Sequence, residues 1–209
     1  MNRQWILALA LSGTLSMIAH PVEAGRGGGG GQWVPSLTSM EQADLVFMRQ
    51  EEKLARDIYL HSEERYAIPP FANIAASEQR HMDAMLQVLQ RYRVSDPVAG
   101  SPIGQFADSS LQALHDNLLA LGDNSALTAL KVGGFIEEAD MRDIVAAIDR
   151  SEHADIDRVY GNLLCGSRNH LRAFAGQIVL ATGLPYSAQL LPQTEVDAIL
   201  STPQERCGN

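Results

Sequence analysis

Apolar positions recur along most of the chain with a helical period of three to four residues, interrupted by clusters of Pro, Gly, Ser and Asn. Thr38 followed by Glu41 is a capping-box signature. Leu45, Met48, Glu52, Ala55 and Tyr59 then share one face, which predicts a helix over 39–66. Ile68-Pro69-Pro70 reads as its break. A second helix is expected over 71–92, with Ile74, Glu78, His81, Met85, Val88 and Tyr92 aligned. Residues 93–108 are rich in Pro, Gly and Ser and read as a loop. Asp108 can cap a short helix over 109–121, and Ser125 a longer one over 126–150. The stripe of the longer one is Leu130, Gly134, Glu138, Met141, Val145 and Ile148. After a turn at 151–154, a helix over 155–182 aligns Ile156, Val159, Leu163, Ser167, His170, Phe174 and Ile178. The tail holds Pro185, Pro192 and Pro203 and one short helical piece at 194–200. No segment alternates with the period of a strand.

Connection lengths decide the expected arrangement. The first and second long helices are joined by a short link, as are the third and fourth. The second and third are joined by a long crossover containing the short helix. The expected fold is therefore all-α, a ferritin-like four-helix bundle of two antiparallel hairpins joined by that crossover. An internal repeat agrees. Glu51-Glu52 with Arg56-Asp57-Ile58, and Glu137-Glu138 with Arg142-Asp143-Ile144, both read EExxxRDI at an offset of 86 positions. His81 and His170 follow at an offset of 89. Each hairpin thus has a Glu-bearing first helix and a His-bearing second helix, as duplication of one hairpin would give.

The first residues stand apart from this pattern. Arg3 precedes an almost uncharged apolar run, Ile6–Ala19, and Val22-Glu23-Ala24 supplies small residues for cleavage. Residues 1–24 are expected to be an export signal, with an uncleaved anchor as the alternative; the run is short for a membrane span. Cleavage leaves a periplasmic or secreted protein with no stable membrane insertion. Residues 25–37 begin with Gly25–Gly31, which contains six glycines and reads as a flexible spacer. The bundle is assigned to 38–182 and a C-terminal tail to 183–209. The 209 residues carry 16 Lys and Arg against 25 Asp and Glu, a formal charge of −9. Without a basic cluster, nucleic acid is excluded as the expected partner.

Five polar residues occupy positions in the apolar stripes: Glu52, Glu78, His81, Glu138 and His170. Burying unpaired carboxylates is costly, and several aimed at one core repel one another. A divalent cation removes both problems, since carboxylate oxygen and neutral imidazole are its ligands. Glu78-x-x-His81 places both groups on one helix face. Carboxylate-bridged two-metal bundles take one Glu from each of two helices and Glu-x-x-His from each of the other two. Ser167-x-x-His170 stands where a second Glu-x-x-His is expected, leaving the charge one carboxylate short. Glu51 and Glu137 lie about 100° from the stripe on their helices and are auxiliary candidates. The expected cofactor is iron, one or two ions, with manganese as the alternative. The expected partners are metal ions with dioxygen or peroxide, in chemistry of the oxidase, ferroxidase or peroxidase type; a homo-oligomer is compatible with the fold. Two alternatives remain open: a non-catalytic metal buffer, and a metal-free helical module whose polar groups form an internal hydrogen-bond network.

The segments LVFMRQEEKLARDIYLHSEERY, FANIAASEQRHMDAM, KVGGFIEEADMRDI and GSRNHLRAF resemble the domain-of-unknown-function family 2202, over about 40–180. That resemblance implies a ferritin-like fold. The first helix, Glu52-x-x-Ala55-Arg56-x-x-Tyr59, also resembles that of rubrerythrins, which implies metal-ligand roles for Glu52, Glu78, His81, Glu138 and His170. Ser167 departs from the rubrerythrin pattern. Tyr59 reads as a core residue or a hydrogen-bond donor near the site. The two cysteines, Cys165 and Cys207, can bridge outside the cytoplasm and pin the tail, or Cys165 can be buried and free.

Overall fold

The computed structural model describes residues 36–208, so the expected signal segment and most of the glycine-rich spacer lie outside the described residues. It contains α1 (Ser39–Tyr66), α2 (Pro69–Arg91), α3 (Ser109–Gly122), α4 (Ala126–Arg150), α5 (Ala154–Thr182) and α6 (Gln193–Leu200), with no strand among the described residues. The chain is all-α as expected. None of these helices is long and apolar enough to cross a membrane. The Pro69-Pro70 pair marks the start of α2 rather than a gap before it, because proline at the first helical positions gives up an N–H that has no intrahelical partner. The short link is made by Ala67, which closes α1 in the left-handed region at φ 50°.

α1 packs along α2, and α4 along α5; α1 also meets α4, and α2 meets α5. α3, from the crossover, lies against α4 and α1, and α6 against α5. One apolar set centres on Tyr59, Phe71 and Phe174. A second centres on Leu45, Met85, Ile144 and Tyr160. Each long helix places at least one buried ionisable residue between the two sets: Glu52 on α1, Glu78 on α2, Glu137 and Asp140 on α4, His170 on α5. The interior therefore has a polar layer between two oily ones.

Three devices fix the ends and the crossover. Thr38 Oγ1 accepts from the Glu41 N–H at 3.2 Å, and Glu41 Oε2 accepts from the Thr38 N–H at 2.8 Å. Glu41 Oε1 accepts from the Glu152 N–H at 2.8 Å and lies 2.6 Å from His153 Nδ1, so the capping box also ties α1 to the α4–α5 turn. Burial would raise the Glu41 carboxyl, but the N–H groups of Glu152 and Thr38 outweigh it and hold it at about 2, below the ordinary 4.5. A depressed carboxylate stabilises the fold above its unfolded pKa, and this is lost as pH falls through the folded value. Glu41→Gln is thus expected to lower stability by about 1–2 kcal/mol at pH 7. The gap from the parent should close between pH 4.5 and about 2 in denaturant melts; a constant gap would show that the charge is irrelevant.

The crossover is held by Asp57, which is buried together with Lys53. Asp57 Oδ2 accepts from Lys53 Nζ at 2.5 Å and from the Gly104 N–H at 2.8 Å, and Oδ1 accepts from Arg56. Lys53 Nζ also donates to Pro102 O at 2.8 Å and lies 4.4 Å from the centre of the Phe106 ring. At the other end of the chain, Cys165 and Cys207 form a disulfide. In the chain-entropy picture, closing a loop of that length is worth about 4 kcal/mol. Arg168 and Arg172 both bind the Glu205 carboxylate beside it.

Candidate metal centre

The α2 helix supplies the middle of the polar layer. Its Glu78-x-x-His81 spacing brings Glu78 Oε2 to 2.8 Å from His81 Nδ1. The other oxygen, Oε1, lies 2.8 Å from Nδ1 of His170 on α5. Glu52 Oε2 on α1 is 3.2 Å from His81 Nδ1, and Glu137 Oε2 on α4 is 3.3 Å from His170 Nδ1. Two three-residue clusters result, Glu52/Glu78/His81 and Glu78/Glu137/His170, each with its ligand-type atoms within 4.8 Å of one another. Glu78 belongs to both. The imidazoles of His81 and His170 stack with centroids 5.5 Å apart.

Orientation separates these contacts: His81 Nδ1 and Glu52 Oε2 are in hydrogen-bond geometry, whereas the contact at His170 is not. Glu78 Oε1 and His170 Nδ1 are in contact, yet neither has a partner in hydrogen-bond geometry among the described residues. Glu52 Oε1 and Asp140 Oδ1 are also buried without a partner. Orphaned polar atoms in a native interior call for an explanation, and donors disposed to bind a cation are one. The electrostatics agree. Burial and the Asp140 charge push Glu52 well above the carboxylate range; burial, against the pull of His170, raises Glu137. Burial and the Glu137 charge raise Asp140 to about 7. Glu78 runs the other way: burial would raise it, but His170 and His81 hold it well below the usual range. Burial would lower His170, but Glu78 and Glu137 raise it to about 10.

The structure brings together four of the five residues expected from the stripes: Glu52, Glu78, His81 and His170. It does not bring Glu138. Glu138 is buried, but its carboxylate accepts from Tyr186 Oη at 2.6 Å and from the N–H groups of Gln189, Leu190 and Leu191. It anchors the C-terminal tail. Its neighbour Glu137, one of the auxiliary candidates, takes the position in the cluster. The reason is that α4 is covered on two sides. One face, with Gly133, Glu137, Asp140 and Ile144, looks inward; another, with Gly134 and Glu138, lies under the tail. Of the expected stripe, Leu130 and Met141 belong to the core, but Val145 is 44% exposed, and the line facing the cluster runs one residue earlier, through Gly133, Glu137 and Ile144. Glu51, the other auxiliary candidate, lies in neither cluster, although its buried carboxyl is pushed up by burial and the nearby charge of Asp140.

Two further residues complete the picture. Ser167 is fully buried and donates its hydroxyl to Asp140 Oδ2 and to Leu163 O. Asp140 therefore brings a carboxylate from α4 to the place where a Glu on α5 was expected. Its signal is the spacing Glu137-x-x-Asp140, which puts two carboxylates on one face of α4 as Glu78-x-x-His81 does on α2. Tyr59 is at once core and donor: its hydroxyl is 2.6 Å from Glu137 Oε1, and its ring packs 5.2 Å from that of Phe174. Burial and the Glu137 charge raise its pKa well above 10.0, so it stays a proton donor.

Gly166 gives His81 its room. A Cβ built there would lie 2.6 Å from both Cε1 and Nε2 of the His81 ring. Gly166→Ala is expected to displace that imidazole and destabilise the fold by about 1–3 kcal/mol through overpacking. Histidine chemical shifts would show it: His81 should move and His61, at the periphery, should not.

The chain is 41% identical over 173 residues to the uncharacterized protein MJ0754 of Methanocaldococcus jannaschii, covering 83% of this chain and 93% of that protein. A crystal structure of hypothetical protein MJ0754 from Methanococcus jannaschii superposes with a TM-score of 0.79 at 39% identity, covering 84% of this chain and 99% of that one. Residues 41–203 match the family described as an uncharacterized protein domain, DUF2202, and the chain belongs to that family.

Proposed function

We propose that this protein is a ferritin-like four-helix bundle holding a carboxylate- and histidine-ligated metal centre, with iron as the resident metal and one or two ions per chain. The carrying observation is the position of Glu78, whose two oxygens each lie 2.8 Å from a different imidazole nitrogen, one pair outside hydrogen-bond geometry. A carboxylate placed this way is suited to serve two ions, with Glu52 and His81 on one side and Glu137 and His170 on the other. Oxygen and nitrogen donors of this mix suit Fe(II) and Mn(II). Asp140 supplies a fourth carboxylate beside the ligands, which answers the charge deficit left by Ser167. Bound iron would supply electron transfer to dioxygen or peroxide. The protein's own part is to hold the donors in a buried layer, to exclude bulk water with the apolar sets on either side, and to orient Glu137 through the Tyr59 hydroxyl. The apolar N-terminal run fits export, which puts this chemistry outside the cytoplasm.

A metal-free network is the second reading, favoured by the raised His170: with Glu78 between two imidazolium ions, the layer would be an internal salt bridge. Anaerobic Fe(II) titration of the purified protein at pH 7, with elemental analysis, separates the two. Saturable binding of one or two ions, with protons released from the histidines, supports the metal centre. Absence of binding for both Fe(II) and Mn(II) would overturn it in favour of the network. Dioxygen consumption on loading Fe(II) then separates an oxidase from a metal buffer.

A further inference from the structure

Where α1 meets α4, a second set of carboxylates lies outside the two clusters. On α4 the spacing Glu137-x-x-Asp140-x-x-Asp143 turns each acid about 60° from the last, so the row winds from the interior to the surface. Glu137 is 1% exposed and Asp140 8%, while the Asp143 side chain is 21% exposed and holds Arg142 outside the bundle. Facing this row is Glu51 of α1, on which Asp140 and Asp143 are the strongest charges acting. Glu51 and Asp140 line a small, partly open cavity of about 30 Å³, whose other walls include Leu54, Leu118 and Ile136. Each keeps one buried oxygen without a hydrogen-bond partner among the described residues, Glu51 Oε2 and Asp140 Oδ1. The other Asp140 oxygen is taken by the Ser167 hydroxyl, so Oδ1 is the one left to meet a guest. One step inward, Glu52 Oε1 is unpartnered as well.

Two carboxylates brought together out of water without a counter-charge repel, and a divalent cation between them turns repulsion into attraction. The space has room for about two water-sized particles, enough for an ion and a water but not for an organic molecule. The donors are too few for a permanent site. Neither Glu51 nor Asp140 belongs to a three-donor cluster, whereas each inner cluster has three donors, one of them an imidazole. An ion is therefore held more weakly here than one step further in. We infer that Glu51 and Asp140 form an outer cation site, at which a divalent metal ion stops before it passes to Glu52, Glu78 and His81. The inference rests on the metal-centre reading for the ion's destination and adds its route of entry, between α1 and α4 with Asp143 at the mouth. It also gives Glu51 a function other than ligation in the centre.

Two measurements test it, neither of them an activity. Crystals of the full chain soaked in excess Mn(II) should show anomalous density between Glu51 and Asp140 besides that at the inner clusters. Crystals of Glu51→Gln should keep the inner density and lose the outer. Water alone between Glu51 and Asp140 in the parent, or outer density unchanged in the variant, would overturn the site. In stopped-flow uptake of Co(II), followed by its visible absorption, Glu51→Gln should fill to the parent stoichiometry but about tenfold more slowly, the loss expected when a cleft of one charge sign no longer steers the ion. Glu195→Gln, which removes the same charge from the exposed side of α6, should load at the parent rate. A parent rate in Glu51→Gln, or equal slowing in both variants, would overturn the route. A lower final stoichiometry in Glu51→Gln would overturn it too, by making Glu51 a ligand of the centre. If the parent shows no metal at the inner clusters, the metal-centre reading falls by itself, and the Mn(II) density still decides the outer site.

Discussion

Replacing Glu78 with alanine is expected to abolish specific binding at both halves of the centre, whereas replacing Glu138 leaves binding intact. Glu78 is the one residue common to the two clusters, so its loss removes a donor from each. It also leaves the two stacked imidazoles facing each other with no carboxylate between them. Loss of an outer-shell partner of a metal ligand already costs 10–100-fold in affinity, so loss of a shared ligand should exceed about a hundredfold. Glu138 makes a useful control because it is a glutamate as buried as Glu78 and the sequence neighbour of Glu137. Its carboxylate serves Tyr186 and three backbone N–H groups of the tail. Glu138→Ala should therefore expose the segment around 186–191 to hydrogen exchange while Fe(II) stoichiometry stays at the parent value. Metal retained by Glu78→Ala, or lost equally from Glu138→Ala, would mean that the polar layer is a packing network.

What the sequence made legible follows from how strongly each position is determined by its own helix. The capping residues Thr38, Asp108 and Ser125 announce the starts of α1, α3 and α4, and all three accept the expected N–H bonds. Glu52, Glu78, His81 and His170 were readable because their helices bury one well-defined face. α4 was not, because its burial is two-sided, and two adjacent glutamates then both look like interior residues. Telling Glu137 from Glu138 required knowing that the tail returns over Gly134, where the Tyr186 hydroxyl lies 2.4 Å from the position of a Cβ. That return is a long-range contact, set by the disulfide and by Glu138 itself, and no helical period carries it. Asp140 was hidden for a related reason. The Glu-x-x-His pattern expects the further carboxylate on α5, in the register of Ser167, but it arrives from α4 and is joined to Ser167 by a hydrogen bond.

The same repeat that suggested a duplicated hairpin yields the largest expected stability effect, since its two aspartates have diverged in role. Asp57 and Asp143 occupy equivalent positions in the EExxxRDI segments. Asp143 pairs with Arg142 at the surface, where Arg142 is 47% exposed at its side chain. Asp57 is fully buried and is the acceptor for Lys53, Arg56 and the Gly104 N–H at once. Asp57→Ala would leave the Lys53 ammonium in the interior without a counter-charge, and the crossover without its tie to α1. Breaking a buried pair from one side costs about 3–5 kcal/mol, whereas a surface pair is worth about 1 kcal/mol or less. In urea melts at pH 7, Asp57→Ala is therefore expected to lose several times the stability lost by Asp143→Ala. A charge-free double variant, Lys53→Met with Asp57→Leu, should recover part of the loss, because it removes the stranded ammonium along with its partner. It should not recover all of it, because Pro102 O and the Gly104 N–H still lose their partners. Equal small losses at both aspartates would show that the crossover is held by the packing of α3 alone, and that the buried Lys53–Asp57 pair is incidental to closing the fold.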